Sequence, residues 1–203
     1  TVSYIYMNKN PIEQFSNWLD AAKKNPAITE PTAMSLATAT KDGTPSVRMV
    51  LLKAVDERGF VFYTNLNSRK SIELKENPRA AICFYWMALE RQVRLEGKIE
   101  LVSDKEADAY FATRARDSQI GAWASQQSQP LPQRNELLQA ISNKMGEYDG
   151  GSVPRPDFWS GWRLIPDKIE FWQQGDFRLH EREIFTREKN SGSNDWKISF
   201  LYP

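Results

Sequence analysis

The sequence predicts a mainly β protein, an antiparallel barrel with peripheral helices. Three observations carry this. About eight strand-like runs follow one another in hairpin-like succession, with helical stretches inserted between some of them. The strand–helix–strand alternation that builds a parallel nucleotide-binding sheet is missing. No Pro-, Gly- or Ser-rich stretch is long enough to mark a boundary, so residues 1–203 read as one domain. A chain of this length buries roughly 70% of its unfolded surface and needs no disulfide or metal to fold.

Taken in order, Asn10-Pro11-Ile12-Glu13 opens a helix over about 11–24, with Asn as N-cap and Pro in the first turn. Ile12, Phe15, Trp18, Leu19 and Ala22 form its apolar stripe. Met34, Leu36 and Thr38 alternate with small residues as a strand, and Asp42-Gly43 marks a hairpin. Val47 to Val55 and Phe60 to Thr64 read as strands around a turn at Asp56-Glu57-Arg58-Gly59. Asn67 or Ser68 starts a short helix that ends by Asn77, before Pro78. Arg79 to Ala88 is a strand. Arg91 to Val102 is the clearest one, with Val93, Leu95, Gly97, Ile99 and Leu101 sharing a face. Ser103-Asp104-Lys105-Glu106 is a capping box for a helix reaching about Arg114. A helix over about Gln133 to Tyr148 carries Leu137, Leu138, Ile141 and Met145, and Asp149 to Pro156 is a loop. Strands at Trp159–Ile165, Lys168–Gln173, Phe177–Thr186 and, after a turn at Asn190-Ser191-Gly192-Ser193-Asn194, Trp196–Tyr202 finish the same domain.

Composition excludes several functions. Lys plus Arg is 27 against 26 Asp plus Glu, a net charge of +1, so no basic excess points to nucleic acid. The longest apolar run, Ala80 to Leu89, is half the roughly 20 residues a membrane helix needs. Thr1-Val2-Ser3-Tyr4 shows neither the basic start nor the apolar run of a secretory signal, and Cys83 is the single cysteine. A cytoplasmic location is therefore expected. The dinucleotide, P-loop and G-x-S-x-G signatures are absent. With one histidine, His180, and one cysteine, no metal site is expected.

Four constellations stand out. Arg48 and Lys53 bracket an apolar strand as candidate anion ligands, or snorkel to its ends. Five positions apart, they lie on opposite faces of an ideal strand, so a twist or bulge is needed to bring them to one ligand. Asn67-Ser68-Arg69-Lys70 places two cations at a helix N-terminus, where free N–H groups favour a phosphate; the alternative is a solvated first turn. Tyr110 and Arg114, at i and i+4 with Ser118 nearby, suit a second phosphate or form a surface stack. Arg178, His180 and Arg182 alternate on one strand face near Trp172, either to meet an anionic or flat partner or to guard an edge strand. Together these suggest two phosphate subsites with aromatic surface between them.

Several longer motifs in the same order, from about Pro11 to Trp196, carry a resemblance. They are Arg48-Met49-Val50-Leu51-Leu52-Lys53; Phe62-Tyr63-Thr64-Asn65 with Ser68-Arg69-Lys70; Leu89-Glu90-Arg91-Gln92-Val93; Ser118-Gln119-Ile120-Gly121-Ala122-Trp123; Ile169-Glu170-Phe171-Trp172-Gln173; and Arg178-Leu179-His180. In these the chain resembles the pyridoxamine (pyridoxine) 5′-phosphate oxidase family. The resemblance implies an FMN-binding split β-barrel, a homodimer with FMN at the interface, and oxidation of pyridoxamine or pyridoxine 5′-phosphate to pyridoxal 5′-phosphate, with dioxygen leaving as hydrogen peroxide. By that match Arg48, Ser68, Arg69 and Lys70 surround the FMN phosphate. Met49, Val50, Leu51, Leu52, Lys53, Tyr63 and Thr64 line the flavin, and Gln92, Gln127, Ser128, Trp172 and Arg182 complete its site, some from the partner chain. Lys53, Tyr110, Arg114 and Ser118 hold the substrate phosphate. Arg178 and His180 lie against the pyridine ring as catalytic residues. The chain departs from the family at Phe200-Leu201-Tyr202-Pro203, where relatives commonly show Arg-Leu-Ala-Pro, at the glycine-poorer loop Gln173 to Phe177, and in having little of the basic N-terminal arm. Two other readings compete. One is a split-barrel flavoprotein of reductase type, which would not need the second phosphate cluster. The other is an oligonucleotide-binding barrel, which would be colourless and salt-sensitive.

Overall fold

The protein is described from a computed structural model, for residues 9–187 and 195–203. Asn10 caps the first helix as its sequence predicts, its side-chain oxygen accepting from the Ile12 N–H at 2.8 Å, and α1 (Pro11–Lys24) follows. Strands β1 (Ala33–Ala39) and β2 (Pro45–Leu51) pair across the Asp42-Gly43 turn, where Gly43 takes a φ of +91° that a side chain would resist. Then come β3 (Ala54–Asp56), β4 (Gly59–Asn65), α2 (Arg69–Glu76), β5 (Arg79–Trp86) and β6 (Arg91–Leu101). Helices α3 (Asp104–Thr113), α4 (Arg116–Ala124) and α5 (Arg134–Glu147) precede β7 (Trp159–Gln173), β8 (Glu181–Thr186) and β9 (Lys197–Phe200).

The strands form one antiparallel sheet in the order β2-β1-β5-β6-β7-β4-β3, with β8 and β9 continuing from β7. The sheet curls into a half-barrel around α1. Phe15 sits at the centre, its ring 4.9 Å from Phe60 and 5.0 Å from Phe84. Burying an aromatic side chain like this stabilises by roughly 1.5–3 kcal/mol. Met34, Leu36, Ile82, Val93, Leu95 and Ile169 close the same core from the inward positions of their strands.

Several sequence expectations change. The run Val47–Val55 is two strands, because the chain leaves β1 after Leu51 and joins β4 from Ala54. Trp159 to Gln173 is one strand rather than two. Its irregularity at Pro166-Asp167 is absorbed as a bulge against Glu96/Gly97, so pairing with β6 resumes on the far side. Residues 177–180 are not strand: Asp176–Arg178 is a short 3₁₀ turn, with Phe177 and Arg178 at φ +54° and +65°. The alternation of Arg178, His180 and Arg182 on one strand face therefore does not exist. Met87–Leu89 is likewise a 3₁₀ turn after β5. Helix α4 was not legible, since Ala115 stands at its N-cap and supplies no capping side chain. The expected helix α5 forms but buries none of its residues; Leu138 and Met145 are 51% and 53% exposed. The expected turn at Asn190–Asn194 and the segment Thr1–Tyr4 lie outside the described residues.

At the β6–β7 bulge the backbones approach closely. A Cβ on Gly97 would lie 2.0 Å from the Ile165 carbonyl oxygen. Gly97→Ala is expected to cost about 1–3 kcal/mol, the usual penalty for overpacking, and to lower the thermal midpoint by about 2–4 °C per kcal/mol. A midpoint equal to wild type would show that the two strands separate freely here.

Candidate active site

Most of the candidate residues gather beside the edge strand β2. β2 is an edge strand, and the chain crosses from it to β4 through two hydrogen bonds: Leu52 N–H to Thr32 O at 2.9 Å and Lys53 N–H to Val61 O at 2.8 Å. This crossing re-aims the backbone. Arg48 and Lys53, which an unbroken strand would point apart, line one cavity of about 1080 Å³. Its walls are the β2 edge from Ser46 to Leu51, Tyr63 to Asn65 of β4, the start of α2, Tyr110 of α3, Arg114 at its end, Ser118 of α4, Gln127, Ser128 and Trp159. Ligand clefts commonly run about 300–1,000 Å³, so there is room for a cofactor and a small substrate together.

One end is built for an anion. Lys70 is only 7% exposed, and its Nζ donates to Thr64 Oγ1 at 3.0 Å, Gln127 Oε1 at 3.1 Å and Ser68 Oγ at 3.3 Å. Each of these acceptors is neutral. Burial first, and the nearby Arg48 charge second, bring its pKa down from 10.5 to about 8. Arg48 and Arg69 are held by Glu73, itself 3% exposed. Arg69 Nε donates to Glu73 at 3.0 Å and Arg48 Nη2 lies 3.4 Å from it, while Ser46 (2.6 Å) and Thr38 hydroxyls donate to the same carboxylate. Burial alone would raise the Glu73 pKa, but the hydrogen bonds from Ser46, Thr38 and Arg69 outweigh it and bring the group down to about 2. Ser68 makes no side-chain capping bond, and the first turn of α2 has no acidic residue. Three cations against one carboxylate leave two positive charges beside a helix N-terminus, which is the complement of a phosphate dianion.

The signs of the two shifts set opposite pH windows. Unfolded Lys70 keeps its proton up to about pH 10.5 whereas the folded protein releases it near pH 8, so stability rises between those values. Glu73 contributes stability above about pH 4.5 that is lost as pH falls towards 2. Thermal midpoints of the cofactor-free protein should climb from pH 8 to 10.5, and the climb should vanish in Lys70→Met; an unchanged climb would assign it to another group.

The other end is aromatic and basic. The Ser103 capping box starts α3 with Glu106 N–H to Ser103 Oγ at 3.2 Å and Ser103 N–H to Glu106 Oε2 at 3.3 Å. α3 stops at Thr113, so Arg114 is its C-cap rather than a residue on its face. Gln119 Nε2 donates to Phe111 O at 2.9 Å and fixes the α3–α4 corner, which brings Ser118 to the wall. The rings of Tyr63 and Tyr110 stack at 4.0 Å, and the Arg114 guanidinium lies 4.8 Å from the Trp159 ring centre. Burial lowers the Arg114 pKa, with Tyr110 opposing.

The remaining expected residues lie elsewhere. Leu52 is buried in the core, and Ser68 is buried behind the cavity, donating to Asn65 O at 2.7 Å. Gln92, Trp172 and Arg182 form a row across β6, β7 and β8. Arg182 forks onto the buried Glu170 at 2.8 and 3.2 Å. His180 packs on Trp172 with ring centres 4.8 Å apart, and its Nδ1 accepts from Gly175 N–H at 3.3 Å, which places the proton of the neutral ring on Nε2. Arg178 is exposed in its turn. None of these five lines the cavity of its own chain. Sequence reasoning missed Glu73, whose signal was its i,i+4 spacing from Arg69, and Trp159, which read only as a strand start. Among the described residues no His/Cys/Asp/Glu group could hold a metal, and no helix is long and apolar enough to cross a membrane.

Residues 21–143 match the family model described as pyridoxamine 5′-phosphate oxidase, and 159–203 match the one described as the pyridoxine 5′-phosphate oxidase C-terminal dimerisation region. The chain is 54% identical to the pyridoxine/pyridoxamine 5′-phosphate oxidase of Zymomonas mobilis, over 97% of this chain and all of that protein. The crystal structure of PhzG from Burkholderia lata 383, in complex with tetrahydrophenazine-1-carboxylic acid, superposes with a TM-score of 0.89 at 33% identity, covering 98% of this chain and 96% of that one. A pyridoxamine 5′-phosphate oxidase-related FMN-binding protein from Nostoc punctiforme shares the split-barrel fold at a TM-score of 0.76 and 16% identity, covering 97% of this chain and all of that one.

Proposed function

The chain belongs to the pyridoxamine 5′-phosphate oxidase family, and on that premise we propose that it oxidises pyridoxamine 5′-phosphate or pyridoxine 5′-phosphate to pyridoxal 5′-phosphate with FMN as cofactor. It is an oxidoreductase of vitamin B6 metabolism that works as a homodimer in the cytoplasm. The observation that carries the reading is the single cavity with two separate basic ends, one around Lys70 and one around Arg114.

The buried, neutral-partnered Lys70 and the Arg48–Arg69 pair fit the phosphate of FMN, and the exposed apolar side chains of Met49 and Leu51 on the β2 edge suit its ring system. Bound there, FMN supplies the hydride acceptor for C4′ of the substrate and the route to dioxygen, which leaves as hydrogen peroxide. Lys53, Tyr110, Arg114 and Ser118 clamp the substrate phosphate and so orient the pyridine ring. Tyr63, Thr64, Gln127 and Ser128 border the flavin. Leu52 and Ser68 support it from behind, since both are buried.

Gln92, Trp172, Arg178, His180 and Arg182 serve the cavity of the partner chain. Two features support this. They do not line their own cavity, and the outer β2 positions Val47 and Met49 are 67% and 61% exposed, an apolar surface suited to burial between subunits. Arg178 then offsets charge on the ring, and the Nε2–H of His180 donates towards it. The ligand seen in PhzG carries a carboxylate and no phosphate, whereas Tyr110, Arg114 and Ser118 suit a phosphate ester.

The purified protein should be yellow. Pyridoxamine 5′-phosphate added without air should bleach it, and air should restore the colour with one hydrogen peroxide per pyridoxal 5′-phosphate. A folded dimer that takes up no FMN defeats the cofactor assignment. A yellow protein that the substrate fails to bleach defeats the reaction.

A further inference from the structure

Most arginines near the site are held by carboxylates: Arg48 by Glu73, Arg182 by Glu170 and Arg163 by Glu106. Arg114 is not. Among the described residues its guanidinium meets no oxygen acceptor, and its buried Nη1 has no hydrogen-bond partner. It lies 4.8 Å from the centre of the Trp159 ring and 5.8 Å from that of Phe111. Trp159 is firmly placed. Its backbone N–H donates to Pro156 O at 3.0 Å, and Arg155 donates to its backbone carbonyl at 2.8 Å while pairing with Asp104 and Asp108 of α3 at 2.9 and 2.6 Å. The indole also lies near parallel to Tyr63 (5.3 Å, 10°) and Tyr110 (6.1 Å, 6°), the latter on α3 beside Arg114.

We propose that Trp159 is a positioning residue for the substrate phosphate: its indole face holds Arg114 in place without neutralising it. A carboxylate in that position would orient the guanidinium equally well. It would also cancel the charge and occupy the donors that a phosphate ester needs. A ring supplies attraction through its quadrupole and leaves the in-plane N–H groups uncommitted. The inference rests on the reading that Arg114 binds the substrate phosphate.

The test uses the FMN-loaded enzyme with Trp159→Leu, Trp159→Phe, Arg114→Met and the double variants. Steady-state kinetics with pyridoxine 5′-phosphate and titration with pyridoxal 5′-phosphate, a readout independent of turnover, are both measured. Trp159→Leu should raise KM and the pyridoxal 5′-phosphate Kd about tenfold, the scale of a desolvated cation–π contact, with a much smaller change in kcat. Trp159→Phe, which keeps a ring face, should recover most of that loss. In the Arg114→Met background neither Trp159 change should weaken binding further. Equal losses with and without Arg114 overturn the inference, as does a Trp159→Leu enzyme that binds like wild type. If Trp159→Leu does not fold, Trp159→Met, which also lacks a ring face, takes its place in the cycle under the same criterion. Should Arg114→Met itself leave binding intact, it is the phosphate reading that fails, and the inference with it.

Discussion

Lys70→Met is expected to weaken FMN binding by about 10–100-fold while leaving riboflavin binding within about twofold. The range follows from losing one charge-assisted hydrogen bond, about 1.5–3 kcal/mol. The difference between the two flavins isolates the phosphate, because riboflavin carries the same ring without it. Lys70 is chosen over Arg48 because it stands apart from the Glu73 network: its partners are Thr64, Ser68 and Gln127. Methionine keeps most of the buried stem, so the change removes charge more than packing. The wild-type preference for FMN over riboflavin should also fade in alkaline solution, above the free-protein pKa of about 8, since a bound dianion holds the proton on longer. Quenching of flavin fluorescence by the cofactor-free protein reads both constants. Equal weakening of FMN and riboflavin would mean that Lys70 shapes the cavity and does not bind phosphate.

Arg178→Ala is expected to lower kcat by about 10²–10³-fold, the range for loss of a group that stabilises developing charge, with FMN affinity changed by less than about threefold. The local backbone supports a functional role. Phe177 and Arg178 are consecutive non-glycine residues at φ +54° and +65°, a conformation that costs on the order of 1–3 kcal/mol per residue. It is held by Leu179 N–H to Asp176 O at 2.9 Å, by Gly175 N–H on His180, and by the packing of His180 on Trp172. Gly175 permits this fold-back, since a Cβ there would sit 2.0 Å from the Leu179 carbonyl oxygen. The outcome is an exposed guanidinium carried on a hydrogen-bonded turn, suited to reach a neighbouring subunit. Arg178→Lys should recover part of the rate, because charge returns without the planar fork. Steady-state turnover beside flavin titration checks both variants, and parallel loss of turnover and FMN binding would reject the role.

The local grammar of the chain was readable because it is local. Asn10 and Ser103 cap helices through hydrogen bonds to residues two or three positions away, Asp42-Gly43 forms its turn from its own backbone freedom, and Val93 to Ile99 alternate because their strand has one buried face. The residue types that could bind two phosphates were legible for a related reason. Cations placed in apolar or helix-starting contexts are costly without an anion, so Arg48, Arg69 and Lys70 announced themselves, and Arg114 was marked by its i,i+4 spacing from Tyr110. Distance in space was not legible. Whether Lys53 and Arg48 face one cavity depends on a strand crossing at Leu52 that no local propensity encodes. Helix α4 has no capping residue to declare it and is held at its corner by Gln119 on Phe111.

By itself, then, the sequence determined the antiparallel strand-rich class, the starts of the capped helices α1 and α3, and the cations available to a binding site, all of which follow from interactions within a few residues of chain. Only the tertiary structure decided which cations share a cavity, that Glu73 holds Arg48 and Arg69 while an indole holds Arg114, and that Arg178 and His180 lie outside the cavity of their own chain. Those outcomes depend on contacts between residues tens of positions apart, which are settled by how the sheet closes around Phe15 and not by any segment alone.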